Sequence, residues 1–319
     1  MGMAVGNSQQ LPLYSQYMMN KFLLNPAIAG SDGYTSVNLV AREQWLGFSS
    51  APRTHAISAQ TRLLKNSYIL KANSVKKKFT RPSRSGRVGI GGYIFNDRNG
   101  IISRTGLQLT YAYHIDLTTI TKGSRGLSFG ISGSAFQFKL DDEGIIPNDL
   151  DDEFLMNYDR AMFVPDANFG IYYKTMDYYA GFSAHNIFKS VLLLGNQGES
   201  NYQMLRHYYI MGGYTFEVPG PDILIQPSVL LKSSDDLSSL QVEISARVFY
   251  QNNYWAGISF RSSDAMIIMA GIKVGQYYFG YAFDYALSNI RKHSFGSHEF
   301  LVGMKLGDNA RRFRWLDRY

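Results

Sequence analysis

The chain contains no cysteine among its 319 residues. This absence excludes disulfide bridges and cysteine-ligated metal sites. It also lacks any run of about 18 apolar residues, so the sequence predicts no membrane-spanning helix. Charged residues make up only 18% of the chain, against roughly 25% in typical soluble domains. Little charge without a long apolar run fits a protein that exposes apolar side chains at alternate positions.

The chain is instead rich in aromatic residues placed in an alternating pattern. It has 23 Tyr and 20 Phe, and aromatics make up 14% of the total. Large apolar side chains recur at every second position in 107–115, 242–250 and 279–287. Successive side chains of a β-strand point to opposite faces, so each segment has one apolar face. Segments of about ten residues with this pattern are typical of transmembrane β-barrels.

Fourteen such segments can be counted, an even number, as is usual for single-chain bacterial barrels. The sequence therefore predicts an all-β fold, an antiparallel transmembrane β-barrel of about 14 strands with an N-terminal plug in its lumen. The candidate strands are 34–42, 53–64, 87–96, 104–116, 125–139, 164–175, 177–187, 205–218, 221–233, 238–250, 253–261, 265–275, 277–288 and 297–306.

Residues that precede the first strand have a different character. Apolar residues there are mixed with Asn, Pro and Gly and show no alternation. We expect 1–33 to be an N-terminal extension and plug segment, 34–306 the barrel, and 307–319 a periplasmic tail. The start lacks the charged and apolar regions of a signal peptide, so we expect the signal to be absent or trimmed.

Loop lengths predict an orientation. Tight connections after even-numbered strands alternate with long ones after odd-numbered strands, and short periplasmic turns with long outer loops are usual for such barrels. A basic segment, 65–86, falls on the periplasmic side by this count and is the exception. The tight connections are near 175–177, 218–221, 251–252 and 275–277, and the long ones near 43–53, 140–163, 188–204 and 288–297.

The face opposite the apolar one carries charged residues. A Lys or Arg on the lipid face at mid-membrane would cost about 2–4 kcal/mol, so we expect these side chains to point into the lumen. Glu243 and Arg247 are one expected ion pair. A solvated soluble sheet would show the same alternation, but nothing in the chain would cover so many outward aromatics. The candidate lumen network is Arg42, Arg62, Glu243, Arg247, Asp284 and Glu299.

Several motifs together resemble one family. Tyr14-Ser15-Gln16-Tyr17-Met18, then Leu24-Asn25-Pro26-Ala27-Ile28-Ala29-Gly30, then Arg42-Glu43-Gln44-Trp45 are similar to the opening of the PorP/SprF family. Phe95-Asn96-Asp97-Arg98-Asn99-Gly100 and Tyr111-Ala112-Tyr113-His114 are similar to its later motifs. Within the first of these, Asp97-Arg98-Asn99-Gly100 predicts a turn by its composition.

The resemblance implies an outer-membrane barrel of the type IX secretion system of Bacteroidota, serving gliding motility and delivery of adhesins. It implies as partners a secreted surface protein with a type IX C-terminal domain and periplasmic ring or lipoprotein components. Lipid and lipopolysaccharide would surround such a barrel.

The opening motif also has a physical interpretation. The residue before proline favours extended backbone, and Gly30 permits the next turn. Polar side chains there can satisfy backbone groups that have no ladder partner. We therefore interpret the motif as part of the plug rather than a ligand site. Its candidate residues are Tyr14, Ser15, Gln16, Tyr17, Asn25, Pro26, Ala27 and Gly30.

Three functions compete at this stage. In the first, the barrel binds and retains or presents a secreted surface protein through outer loops. The second is a porin or transporter, which needs an open lumen. The third is an enzyme at the rim, for which Ser183 and His185 share a face. The candidate partner-binding residues of the first function are Trp45, Phe48, Leu192, Leu193 and Leu194.

The chemistry that an enzyme would need is not evident. Neither His-Glu-x-x-His nor Gly-x-Ser-x-Gly occurs, so we predict that the protein is not an enzyme and has no cofactor. Oxygen-rich residues in 141–153 could bind Ca²⁺, although a solvated outer loop is the simpler interpretation. The net charge of +7 could suggest nucleic-acid binding, but we expect a solvated loop, or contact with anionic lipid or an acidic partner, instead.

Overall fold

The computed structural model describes residues 12–48, 50–63, 86–100, 102–117, 125–140, 161–189, 191–194, 200–219, 222–235, 240–251, 253–262 and 264–306. Seventeen strands lie within these ranges. They are β1 (Thr35–Glu43), β2 (Arg53–Leu63), β3 (Val88–Asn99), β4 (Ile102–Asp116), β5 (Gly126–Leu140), β6 (Ala161–Lys174), β7 (Tyr178–His185), β8 (Val191–Leu194), β9 (Ser200–Gln203), β10 (His207–Tyr214), β11 (Phe216–Val218), β12 (Ile223–Ser234), β13 (Gln241–Tyr250), β14 (Tyr254–Arg261), β15 (Ala265–Val274), β16 (Tyr277–Ala286) and β17 (Ser297–Leu306).

Antiparallel pairing closes the main sheet into a barrel. β1 pairs with β17 from Thr35↔Leu306 to Glu43↔His298, and β10 pairs with both β7 and β12. The short β11 continues β10 along the same edge of β12. The ring therefore has 14 strands, as the sequence predicts. Closure gives every strand two neighbours and removes the exposed edges of an open sheet.

The alternation of side chains separates two environments. Along β16, Phe279 and Tyr285 are 45% and 50% exposed on the outer face. On the inner face of the same strand, Tyr278 and Asp284 are each 2% exposed. The outer face of the barrel is thus a surface of exposed Leu, Ile, Phe and Tyr, which lipid can cover. Within the ranges that the structure describes, no helix is long and apolar enough to cross a membrane.

Two local features differ from the sequence-based prediction. Asp97 and Arg98, predicted as part of a turn, belong to β3, and the hairpin turn to β4 begins at Gly100, whose φ is +62°. Asp97 is buried and accepts hydrogen bonds from Thr54 (2.7 Å) and Arg104 (2.5 Å), so its contacts favour the strand. The long connection after β7 contains the small β8–β9 hairpin.

The two ends of the barrel differ in their connections. At one end, here called the short-turn end, residues 175–177, 251–253 and 275–276 join consecutive strands. At the opposite end, the long-loop end, 44–52 and 287–296 join β1 to β2 and β16 to β17. The connection between β2 and β3 is long and lies at the short-turn end, and its basic residues before Gly86 fall outside the described ranges.

Residues 12–34, here called the N-terminal segment, contact the inner face of the barrel. The segment contains two short 3₁₀ turns, Lys21–Leu23 and Pro26–Ile28, and its side chains are mostly buried. Ser15 contacts β16 and β17 near the long-loop end, whereas Asp32 contacts Lys174 at the short-turn end of β6. The N-terminal segment therefore contacts the barrel interior both near the long-loop end and at the short-turn end.

Candidate functional site in the barrel interior

A single carboxylate anchors the start of the N-terminal segment. Glu299 on β17 accepts the backbone N–H of Ser15 at 2.6 Å and that of Gln16 at 2.8 Å, one on each oxygen. The Gln16 side-chain amide also donates to the Glu299 backbone carbonyl at 3.2 Å. The N–H groups of an irregular segment have no partner on a neighbouring strand. The Glu299 carboxylate is the hydrogen-bond acceptor for the N–H groups of Ser15 and Gln16.

Ion pairs surround this anchor and form what we call the interior ion cluster. Arg42 pairs with Asp284 at 2.8 Å and with Glu299 at 3.5 Å. Arg261 pairs with Glu243 at 2.7 Å and with Asp284 at 3.4 Å. Charges this deeply buried are stabilised only when paired and hydrogen-bonded. The members of the cluster are Arg42, Glu243, Arg261, Asp284 and Glu299, each no more than 4% exposed.

Ser15 joins the N-terminal segment to the middle of this cluster. Its hydroxyl donates to Asp284 at 2.7 Å and accepts a hydrogen bond from Arg42. Arg261 also reaches Asp264, at 3.0 Å, at the end of the barrel where β14 turns into β15. The cluster thus connects β1, β13, β14, β16, β17 and the N-terminal segment.

Four of the six residues of the candidate lumen network therefore meet in one cluster, and two lie elsewhere. Arg62 donates to the carbonyl of Gly86 at 2.8 Å. Arg247 donates to Met19 Sδ at 2.9 Å and to the Gln226 side chain. The ion pair of Glu243 is made with Arg261 on the neighbouring strand rather than with Arg247 on its own strand.

The Asn25-Pro26 motif sits against β6 and β7. The Asn25 side-chain oxygen accepts the N–H of Ala27 at 2.9 Å, which caps the second 3₁₀ turn. Its amide nitrogen donates to the carbonyls of Ile171 (3.0 Å) and Phe182 (3.1 Å). The Asn25 side chain thus caps the 3₁₀ turn that follows it and also binds that turn to the barrel wall.

Ser183 and His185 both bind the N-terminal segment. The Ser183 hydroxyl and the His185 Nε2 donate to the same carbonyl, that of Leu24, at 2.5 Å and 2.9 Å. Ser183 is fully buried and His185 is 5% exposed. The two side chains that suggested a rim enzyme thus both hold Leu24 in place.

Glycines in the wall allow the N-terminal segment to approach closely. A Cβ added at Gly89 would lie 1.9 Å from the carbonyl oxygen of Ala29, and one at Gly130 would lie 2.3 Å from the backbone nitrogen of Ala27. Both distances are far inside van der Waals contact, so only glycine fits at these two positions while the segment is in place.

Charged residues at the short-turn half of the segment are also enclosed. Lys21 lies over the ring of Tyr179 at 3.6 Å, and burial, with nearby Lys174, lowers the pKa of Lys21 well below its usual range. Burial alone would raise the pKa of Asp32, but Lys174 at 2.8 Å and nearby Lys305 outweigh it and hold that pKa well below its usual range.

The long-loop end contains a cleft beside the start of the N-terminal segment. The cleft is partly open to solvent. Aromatic rings dominate the walls, and the Arg104–Asp97 ion pair at 2.5 Å borders the cleft. Lining residues include Pro12, Tyr14, Phe95, Phe136 and Tyr209.

Loops at this end are tied together and present apolar side chains. The backbone N–H of Phe295 donates a hydrogen bond to the carbonyl of Leu46 at 2.8 Å. The backbone N–H of Trp45 donates to the Ser297 hydroxyl at 3.1 Å. Phe48 is 41% exposed, whereas Trp45 is half-buried. Leu192, Leu193 and Leu194 lie on β8, and their side chains fall outside the described ones. Large exposed apolar residues of these loops that sequence reasoning missed are Phe188 (69%), Leu240 (60%) and Phe295 (80%).

The described part of the chain contains no group of three His, Asp or Glu residues that could hold a metal ion. The acidic residues of 141–153 fall outside the described ranges, so Ca²⁺ binding there stays a prediction.

A closed barrel with an apolar outer face and a polar inner face defines an outer-membrane β-barrel protein. The model of a family described as "Type IX secretion system membrane protein PorP/SprF" matches residues 6–304. The chain therefore belongs to the PorP/SprF family and is located in the outer membrane.

Two solved outer-membrane proteins match this chain at very low identity. The outer membrane protein Omp33 of Acinetobacter baumannii is 7% identical, with 86% of this chain and 98% of that chain covered and a TM-score of 0.45. The CymD monoaromatic hydrocarbon channel is 10% identical, with 92% of each chain covered and a TM-score of 0.45. A comparison with curated proteins finds no match.

Proposed function

We propose that this barrel is a closed platform that binds a secreted surface protein and retains or presents it at the cell surface. The observation that carries the proposal is the N-terminal segment, which contacts the inner face of the barrel from Ser15 at one end to Asp32 at the other. A pore for solutes needs an open lumen, whereas a binding platform does not.

The interior contacts favour a fixed segment. Ser15 and Gln16 are bound by a carboxylate, Asn25 by two wall carbonyls, and Leu24 by Ser183 and His185. Leaving a buried polar group without its partner costs about 1–3 kcal/mol, so withdrawing the segment would break several such contacts at once. We propose that it acts as a plug.

The long-loop end supplies the partner-binding surface in this proposal. Phe48, Phe188 and Phe295 are exposed in different loops at that end. Phe48 and Phe295 lie in two loops joined by a hydrogen bond between Leu46 and Phe295, whereas Phe188 follows β7 on the far side of the ring. Exposed aromatic residues are common anchors in protein interfaces. We place this end outside the cell and the short-turn end toward periplasmic components of secretion and motility.

A test is the retention of secreted type IX substrates on cells that carry loop variants. In Phe48→Ser/Phe188→Ser/Phe295→Ser we expect the substrate to move from the cell surface into the medium while barrel levels stay constant. The matched control, Arg291→Ser/Lys292→Ser, alters exposed polar residues of the same end and should retain the substrate. Equal retention of the substrate by both variants would contradict the proposal that these loops bind the secreted protein.

A further inference from the structure

We propose that the N-terminal segment enters the lumen from the outside of the cell, and that its first residues, Pro12 and Leu13, form the centre of the surface that meets the secreted protein. This adds a central contact to the loop contacts of the proposed function. The location outside the cell and the identity of the partner rest on that proposed function, whereas the direction of the segment inside the barrel does not.

Contacts with the wall fix the direction in which the N-terminal segment runs. Ser15 is bound by β16 and β17 near the long-loop end. Asn20 donates to the hydroxyl of Ser58, the middle residue of β2, at 3.0 Å. The carbonyl of Ala29 then accepts from Nε2 of His114, near the short-turn end of β4, at 2.9 Å. Successive contacts thus advance along the lumen from the long-loop end to the short-turn end.

Pro12 and the last strand therefore lie at opposite ends of the barrel. An even number of antiparallel strands returns a chain to the end from which it started. The first strand begins at Thr35 and the last one ends at Leu306, and these two residues are paired at the short-turn end. The N-terminal segment adds one further pass through the lumen, so its first residues lie at the long-loop end.

The start of the segment lies across the mouth of the barrel at this end. Pro12 borders one cleft together with Leu230 and Gln241, on β12 and β13, and another together with Arg104 and Phe136, on β4 and β5. Three strands, β6, β7 and β10, separate these two parts of the wall on one side of the ring, and seven separate them on the other. Pro12 thus lies between well-separated parts of the wall.

This central surface is apolar and fixed in place. Pro12 and Leu13 are half-buried, and the N–H groups of Ser15 and Gln16 that follow them are bound by the Glu299 carboxylate. The residues that contribute most to binding cluster near the centre of a protein interface, where the surrounding contacts exclude water. An apolar partner surface that packs on Pro12 and Leu13 would meet this condition.

Exposed aromatic residues surround this centre on two sides. Phe48 and Phe295 lie in the joined loops beside β1 and β17, and Phe188 follows β7 on the far side of the ring. A protein that contacts the loops on both sides has to pass over the mouth between them, and hence over Pro12 and Leu13. The partner that fits is therefore a protein whose apolar surface covers the whole mouth, whereas a partner bound to one loop would leave the centre in water.

The direction of the segment is tested by labelling single cysteines on cells, since the chain has no cysteine of its own. Pro12→Cys and Lys292→Cys should react with an impermeant maleimide on intact cells, and Gln276→Cys, at an exposed position of the short-turn end, only after the outer membrane is permeabilised. Reaction of Lys292→Cys without Pro12→Cys would overturn this proposal alone. Reaction of Gln276→Cys alone would reverse the orientation and overturn the proposed function as well. If Pro12→Cys does not fold, an epitope inserted between residues 10 and 11 replaces it, and antibody binding only after permeabilisation would overturn the proposal.

Contact with the partner is tested by photo-crosslinking from single positions of the full-length chain in cells that secrete type IX substrates. The photoreactive amino acid p-benzoylphenylalanine at position 13 and at position 295 should crosslink the same secreted protein, whereas at position 276 it should crosslink none. Crosslinks from position 295 without any from position 13 would overturn this proposal and leave the proposed function in place. Absence of crosslinks from both positions would overturn the proposed function together with it. Heat-dependent gel mobility verifies that each variant is folded.

Discussion

The carboxylate of Glu299 accepts the backbone N–H of Ser15 at 2.6 Å, although the two residues are 284 positions apart in the chain. This hydrogen bond joins the last strand of the barrel to the N-terminal segment inside it. Both residues are fully buried. The contact therefore depends on barrel closure, and barrel stability should in turn depend on the contact.

Replacing this carboxylate should loosen the N-terminal segment. Each oxygen of the Glu299 carboxylate accepts one N–H, from Ser15 or from Gln16. In Glu299→Gln one of these oxygens becomes an N–H₂ group, so one of the two backbone donors loses its acceptor, at a cost of about 1–3 kcal/mol. We expect a lower temperature for the heat-induced loss of compact mobility on gels. Glu43→Gln, a change at an exposed carboxylate, should leave that temperature unchanged; equal effects would argue against the anchor.

Arg261 and Arg53 should differ sharply in their contribution to stability. Arg261 is 1% exposed and pairs with Glu243, Asp264 and Asp284, so Arg261→Met leaves buried carboxylates without a counter-charge. Such changes cost about 3–5 kcal/mol. Arg53→Met removes an exposed pair worth about 0–1 kcal/mol. Chemical unfolding in detergent should rank them in this order, and similar losses would contradict a buried cluster.

Two wall glycines provide a matched pair for testing the fit of the N-terminal segment. Gly130→Ala should push Pro26 and Ala27 off the wall, since the added carbon would lie 2.3 Å from each. Gly133→Ala meets nothing within 4 Å. Limited proteolysis should therefore cut the N-terminal segment faster in Gly130→Ala than in wild type or Gly133→Ala. Identical digestion of all three would place the segment away from this strand.

The lowered pKa of Asp32 predicts that the stability of the protein depends on pH. Its pKa is held well below the usual range, against burial, by Lys174 and Lys305. A carboxyl whose pKa is depressed by folding stabilises the folded state above its unfolded pKa, about 3.9, and loses that contribution as the pH falls further. Asp32→Asn should thus be less stable than wild type at pH 7, and the difference should shrink below about pH 4. A difference that grows on acidification would contradict the ion pair.

The strands were predictable because lipid outside and polar contacts inside impose a period of two on nearly every segment. Asp97 shows where composition fails: its neighbours favour a turn, but Thr54 and Arg104 on adjacent strands hold it in β3. Those contacts depend on register, which the composition of one segment does not reveal.

The interior ion cluster was partly predictable. The tight turn at 251–253 makes β13 and β14 a hairpin, and its symmetry alone places Glu243 opposite Arg261. Hairpin symmetry alone would therefore have predicted the Glu243–Arg261 pair in place of the expected Glu243–Arg247 pair. By contrast, no spacing in the sequence relates Ser15 to Asp284 or Glu299, because that contact needs both the closed ring and a segment inside it.

Conductance of the intact barrel tests the account most directly. Wild-type protein inserted in a planar bilayer should show no stable porin-like steps, because we propose that the N-terminal segment, which contacts the wall at Ser15, Asn25 and Asp32, acts as a plug. Gly130→Ala, measured beside Gly133→Ala, should be the more permeable of the two. Large, stable, ohmic steps from wild type alone would contradict a closed platform and favour the porin or transporter alternative.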